Sequence, residues 1–377
     1  MASGIYFTLL VGPVVPLPAP KPVVDAMTSV TVTTSATGQS GFEIAFKLAD
    51  RSVLQTLFLL APVSPVMQIR VILVVTMNSI PTVLIDGIMT HHQVTPSSGS
   101  GWGTLTVKGD DLTAAMKLID IPGTPMPMPP EARVALILAK YAVYGIVPMI
   151  VPSIVPDVSI VVDKIPAQQG NDFEYLTQLA NAVGYVFYID PGPLPGMNIG
   201  YWGPQIKFGV PQPSLNINMD TWTNVESLQF SYEPDQSVLP IVTIQLEQTG
   251  FSIPIPIPPV TPLDPPLGLF VPIPVKTEAS KSSANLPPGQ ALMQGMARAS
   301  AAADVVSGSG SLDVLRYGSI LKARQLVGVR GAGPAFDGLH YVDSVTHNIS
   351  VGSYKQSFTL KRNALIANTP VVPAMSI

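Results

Sequence analysis

Strand-like alternation at both ends, helical patterns gathered between them and proline-rich punctuation predict a mainly β chain with an α+β insertion. The clearest strand signal is "GLHYVDSVTHNISVGSYKQSFTLKRN", residues 339–364. In its second half Tyr354, Gln356, Phe358 and Leu360 fall on one face, and Ser353, Lys355, Ser357, Thr359 and Lys361 on the other. A period of two marks a half-buried strand. Ser350, Val351 and Gly352 supply the turn, where glycine is free to take a positive φ. The first strand is less regular, because Asp343 and His347 share a face with Tyr341 and Val345.

From the N-terminus, "VDAMTSVTVTTSATGQSGFEIAFKLA" (24–49) reads as two strands around a glycine-containing loop. "MQIRVILVVTMN", "TVLIDGIMTHHQVT" and "GWGTLTVKG" follow as an antiparallel meander. Asp110 or Asp111 then caps a short helix, "LTAAMKLID". The middle of the chain is different. "PEARVALILAKYAVYG" (130–145) is helical, with Pro130 just inside its start and Gly145 past its end. "NDFEYLTQLANAVG" carries Asn171 and Glu174 at capping-box spacing, with Gly184 as the C-terminal stop. "GYVFYID" and "NIGYWGP" form strands across "PGPLPG". Strands return with "NVESLQFSYE" and "PIVTIQLEQTG", then a helix over "PGQALMQGMARASAAADVV" and the closing strands. Strands at both ends suggest two barrels of similar build. The segment "IPIPIPPVTPLDPPLGLFVPIP" (253–274) reads as a stiff, extended, polyproline-like excursion, since proline lacks the N–H and fixes φ.

Composition narrows the function. Only 12% of the 377 residues are charged and 47% are apolar, against about 25% charged in ordinary domains. So little charge implies a surface covered by other subunits. A membrane helix is not expected. The most apolar stretches, 53–75 and 134–162, are broken by Pro62, Pro65, Arg70, Lys140, Pro148, Pro152 and Pro156, and neither gives about 20 clean apolar residues. The N-terminal apolar run lacks a basic flank, so no cleaved signal is expected. The absence of cysteine suits cytosolic synthesis. A net charge of −4 argues against general nucleic-acid binding. That charge is uneven: residues 276–365 hold ten Lys/Arg against five Asp/Glu, and the remainder ten against nineteen. Such a bipolar subunit can stack on an acidic neighbour. Arg316, Lys322, Arg324 and Lys355 are the candidate assembly-interface residues in the basic part.

Catalytic chemistry is hard to find. His91 and His92 are adjacent on a strand, point to opposite faces and cannot chelate one metal together. His347 lies mid-strand, where a hydrogen-bonded structural histidine is expected. Asp110 and Asp111 fit helix capping better than an acid pair. No G-x-S-x-G or H-E-x-x-H pattern occurs. "RGAGPAF" lacks the third glycine and following helix of a dinucleotide loop. Trp102, Tyr201 and Trp202 show no stacking platform with interleaved arginine. No catalytic, cofactor-binding or metal residue is assigned.

Several stretches together carry a resemblance. "GSLDVLRYGSILKARQLVGVRGAG", followed by "FDGLHYVDSVTHNISVGSYKQSFTLKRN", resembles the C-terminal region of phage late control protein D and related tail hubs. "QQGNDFEYLTQLANAVGYVFYI" is similar to the middle of that family, and "VLIDGIMTHHQV" with "GTLTVKGDDLTAAM" to its N-terminal barrel. The match spans roughly residues 22–365. The resemblance implies a baseplate hub of a contractile injection system: two tube-like β-barrels per chain, a homotrimer, and a ring that adapts a threefold spike to a sixfold inner tube and templates the first tube ring. On that basis residues 1–125 form the first tube-like region and 126–215 the inserted α+β module. Residues 216–365 form the second tube-like region, with the Pro-rich excursion at 252–275, and 366–377 a tail. The implied partners are its own copies, a separate spike protein, the inner tube and other baseplate subunits, with assembly in the bacterial cytoplasm. The particle is a phage tail or a released or anchored relative. Fused spike proteins continue into further domains, whereas this sequence stops at Ile377, which is why a separate spike is expected. Two other readings remain: an envelope-degrading tail hydrolase, and a cargo- or receptor-binding module using the Pro-rich segment.

Overall fold

A computed structural model describes residues 4–48, 53, 54, 57, 58, 68–96, 103–153, 167–245, 252–258, 264–279 and 288–368. The fold is mainly β. The first strands are β1 (Ile5–Gly12) and β2 (Leu17–Pro18), followed by the short helix α1 (Lys21–Asp25). Then come β3 (Met27–Ser35), β4 (Gly41–Leu48), β5 (Arg70–Met77), β6 (Ile80–Thr95) and β7 (Gly103–Asp111). Alternation is the cause of the sheet. Val30, Val32, Ile44, Phe46, Leu105 and Val107 all point into one core, and their neighbours Thr31, Glu43 and Thr106 point away. The N-terminal apolar run is itself a strand, pairing with β5 along its whole length. Trp102 and residues 59–67 lie outside the described residues.

The helix expected at 112–120 is only one turn, α2 (Thr113–Met116), with Asp111 accepting from the Thr113 amide at 3.0 Å. The chain then turns into β8 (Asp120–Pro125). Helix α3 (Pro130–Lys140) starts on its proline, and Gly145 after it holds φ +74°. Strands β9 (Ile146–Ile150) and β10 (Ala167–Asn171) follow, the latter pairing with β8. Helix α4 (Asp172–Ala182) is capped as the spacing predicts, Asn171 Oδ1 accepting from the Glu174 amide at 2.9 Å. Strands β11 (Val186–Pro191) and β12 (Asn198–Gly203) join β9 in a three-stranded sheet. Leu138, Leu176 and Trp202 fill the core between that sheet and the helices.

The last part holds β13 (Gln212–Asn216), β14 (Ser227–Tyr232), β15 (Val238–Gln245), β16 (Ser252–Pro256), β17 (Gly268–Phe270) and β18 (Lys276–Ala279). Helix α5 (Pro288–Ala302) leads to β19 (Val306–Asp313), α6 (Val314–Tyr317) and β20 (Leu326–Arg330). The hairpin β21 (Gly338–Ser350) and β22 (Ser353–Arg362) and the short β23 (Leu365–Ala367) complete it. Gly352 holds φ +77° in the hairpin turn. Tyr354, Gln356, Phe358 and Leu360 are buried, as the alternation requires.

The two β regions are not separate sheets. Strand β21 pairs with β3 over Ser344–Ser350, so one path runs β14-β19-β22-β21-β3-β4-β7-β6-β5-β1-β2. The Pro-rich segment also differs from expectation, because it is not a free polyproline excursion. β16 pairs with β15, and β17 with β23. Pro254 and Pro256 are accommodated because, among the described residues, β16 is an edge strand paired only with β15.

Two buried ionic ties hold the parts together. Arg70 binds Asp86 through two nitrogens at 2.7 and 2.6 Å and reaches the Tyr144 carbonyl at 2.7 Å, and Asn198 also donates to Asp86. The second tie sets Lys207 between Asp264 at 3.0 Å and Asp304 at 2.8 Å, with Asn363 donating to Asp264.

Candidate assembly surface

The outward face of the long sheet is built from residues in register across its strands. Cross-strand register places Ser311, Ser357, Thr346 and Thr33 in one row. The next row runs Lys355, Asn348, Thr31, Glu43, Lys108 and His91. Eight strands, from β14 to the distal half of β6, contribute to this face. Their outward positions carry mostly serine, threonine, amide and charged side chains, interrupted by Gly41, by Ala45 and, opposite Lys361 at the start of β21, by the buried Tyr341.

The face satisfies its own polar groups. Hydroxyls pair across strands: Thr33 with Thr346 at 3.1 Å, Ser344 with Thr359 at 2.6 Å, and Ser227 with Ser311 at 2.8 Å. Gln229 donates to Ser309 at 2.9 Å. Three lysines on it are neutralised, Lys108 by Glu43 at 2.8 Å, Lys355 by Glu226 at 2.7 Å and Lys361 by Asp343 at 3.2 Å. Ser231 donates to the Glu233 carboxylate at 3.3 Å.

The four basic candidates do not gather. Lys355 lies on the polar face, and its hydrogen bond to Glu226 raises its pKa. Arg316 and Lys322 are exposed elsewhere. Lys322 makes only backbone bonds to Gln212, at 2.8 Å in each direction. Arg324 turns inward instead: it ion-pairs with Asp190, donates to the Ser35 carbonyl at 2.5 Å and lies 4.0 Å over the Tyr188 ring. It therefore braces the middle of the chain against β3, a role that charge counting could not distinguish from surface display.

The histidines divide by face. His91 and His92 oppose Lys108 and Val107, on opposite sides of the sheet. His347 is buried, and Gln356 Nε2, which can only donate, approaches its Nδ1 at 3.3 Å. That nitrogen is therefore the acceptor, and the Tyr354 hydroxyl donates to it at 2.7 Å. Burial pulls the His347 pKa down to about 3, so the ring is neutral. His340 is buried too, and burial with nearby Arg362 takes it to about 3. "RGAGPAF" is a loop in which Gly331 and Gly333 hold positive φ. Among the described residues no three His, Asp or Glu side chains gather as a metal-holding group, and no helix is long and apolar enough to cross a membrane.

Sequence reasoning found the polar face of the last hairpin but not its continuation. "TSVTVTTS" carried the same signal, placing Ser29, Thr31, Thr33 and Ser35 on one side. What it could not give is that β3 lies beside β21.

No family model and no curated protein matches this sequence. Solved structures do match in fold. A tail protein from Neisseria meningitidis MC58 is similar over 96% of this chain and 98% of its own, at 15% identity and a TM-score of 0.60. The 43 kDa tail protein of prophage MuSo2 from Shewanella oneidensis covers 95% and 98%, at 13% identity and 0.58. A chain of the Francisella PdpA–VgrG complex matches 98% of this chain with 60% of its own length, at 8% identity and 0.59. The fold is thus one found in phage tail proteins and in a VgrG complex, in line with the resemblance to tail hubs read from the sequence.

Proposed function

We propose that this chain is a structural baseplate hub of a contractile injection system, joining a central spike to the inner tube and templating the first tube ring. The observation that carries this reading is the eight-strand face, polar and self-satisfied outside, packed on a continuous apolar core beneath. A wall of that kind suits the lining of a channel, because it presents neither a sticky apolar patch nor a fixed excess of charge. Three copies in a closed cyclic arrangement would surround the channel. In this reading residues 1–125 and 216–365 supply the ring, while 126–215 and the Pro-rich segment 252–275 sit at its periphery against other baseplate subunits. The role is non-enzymatic, and assembly takes place in the bacterial cytoplasm before the particle is used or released. The fold likeness to tail proteins supports the same reading.

Deleting the gene tests it directly. Electron microscopy of the deletion strain should show no assembled tubes, because the first ring has nothing to build on. Tubes of normal length and number would overturn the proposal.

A further inference from the structure

Lys207, between β12 and β13, is the one buried lysine among the described residues. Its side chain and that of Asp264 are each 1% exposed, and that of Asp304 is 10% exposed. The groups around its amine come from separate parts of the chain. Asp264 precedes β17, Ser300 lies on α5, Asp304 stands between α5 and β19, and Asn363 between β22 and β23. An amine, two carboxyls, an amide and a hydroxyl thus meet in a site closed to solvent.

The two carboxyls are not equivalent. Asp264 Oδ2 accepts from Lys207 Nζ at 3.0 Å and from the Ser300 hydroxyl, and its Oδ1 accepts from Asn363 Nδ2 at 3.0 Å. Those donors fix its orientation. Asp304 receives Lys207 Nζ on both oxygens, at 2.9 and 2.8 Å, so the nitrogen sits symmetrically before its carboxyl carbon. Rotation about the Cβ–Cγ bond then presents the face of that carbon to the amine. Burial raises the Asp304 pKa in spite of the lysine, which makes it the carboxyl that holds a proton and can be attacked. Burial works against the ammonium of Lys207, but the two aspartates outweigh it and raise its pKa. A free amine therefore arises only when its proton passes to Asp264.

We propose that Lys207 and Asp304 condense into an intramolecular amide, with Asp264 carrying the proton. The Lys207 ammonium first gives a proton to the Asp264 carboxylate. Nζ then attacks Cγ of the protonated Asp304, forming the N–C bond. In the tetrahedral adduct Asp264 takes a proton from the nitrogen and gives one to the hydroxyl. The C–O bond breaks, one water leaves and Asp264 ends protonated, so protons and charge balance. Two features favour the step. Fixed neighbours react as though at very high concentration, and buried charges that are costly to keep are replaced by a neutral amide. The bond spans 97 residues. In a chain without cysteine it would constrain the unfolded state as a disulfide across a long loop does.

Intact-mass spectrometry of the purified protein, followed by tryptic mapping, tests this. The wild type should weigh one water less than its sequence. Trypsin should leave Lys207 uncut, with peptide 165–276 joined to peptide 299–316. Asp264→Asn should keep the water and be cut after Lys207. A wild type of full sequence mass that is cut after Lys207 would overturn the proposal. A lost water confined to peptide 165–276 would place the bond on Asp264. A lost ammonia with a branch to peptide 363–377 would place it on Asn363, and either result would overturn the assignment to Asp304.

Discussion

The two halves of the long sheet reach the same surface by the same local device. In the first, Phe42 on β4 sits directly opposite Gly109 on β7. In the second, Phe358 on β22 sits opposite Gly310 on β19, and Phe230 on β14 opposite Gly308. A methyl group on Gly109 would overlap the Phe42 ring, and one on Gly310 would lie 2.7 Å from the Phe358 ring. Each aromatic ring thus covers a glycine on the neighbouring strand. The halves differ in how they are tied to the rest of the molecule. Arg70 meets Asp86 one to one and fills its remaining donors with carbonyls. Lys207 is shared by two aspartates, and burial leaves the Asp304 pKa raised despite the lysine. The surface depends on a device each half contains, while anchorage is particular to each half.

The largest effects should come from the ties. Replacing Arg70 or Lys207 with methionine strands a buried aspartate, a change worth about 3–5 kcal/mol in denaturant unfolding. If Lys207→Met is nearly neutral, the second tie is not the equal of the first.

Next come the glycines. Gly109→Ala and Gly310→Ala should each cost about 1–3 kcal/mol through overpacking. Similar losses sharpen the comparison between the halves; a large loss at one and none at the other would break it.

In the second half His347 carries a pH effect of its own. His347 binds protons in the unfolded chain near pH 6.5 but in the folded one only near 3. Its contribution is therefore fully present above pH 6.5 and lost as pH falls toward 3. The raised aspartates, Asp111, Asp190 and Asp304, work in the opposite sense, so the difference from His347→Gln isolates the histidine. Between pH 6 and 4 the wild type should lose about 1.4 kcal/mol per pH unit more than the variant. Parallel pH curves would contradict the buried neutral ring.

The smallest effect is expected at Lys355. Its partner Glu226 lies on the open surface, so Lys355→Ala should leave the melting temperature unchanged. A clear drop would mean that the polar face is braced by its charges as well as its strands.

Much of this was legible in the sequence, and the rest failed for physical reasons. Period-two runs marked β3, β4 and the β21–β22 hairpin because each has one buried face. The Asn171 cap and the turn at Gly352 were readable because both are local. β1 was missed: its apolar run has no clean alternation, and its partner β5 is nearly sixty residues away. The Pro-rich strands were missed because proline argues against a strand unless the strand lies at an edge, and edge position is a tertiary fact. Arg324 was assigned outward for a similar reason, since Asp190 and Tyr188 reach it only through the fold. The joining of β21 to β3 has no local sign at all.

Native mass spectrometry of the purified protein with its spike asks whether this sheet is one segment of a closed ring. Three copies of the chain per assembly is the predicted result. A monomer or dimer under conditions where the spike itself is assembled would contradict it.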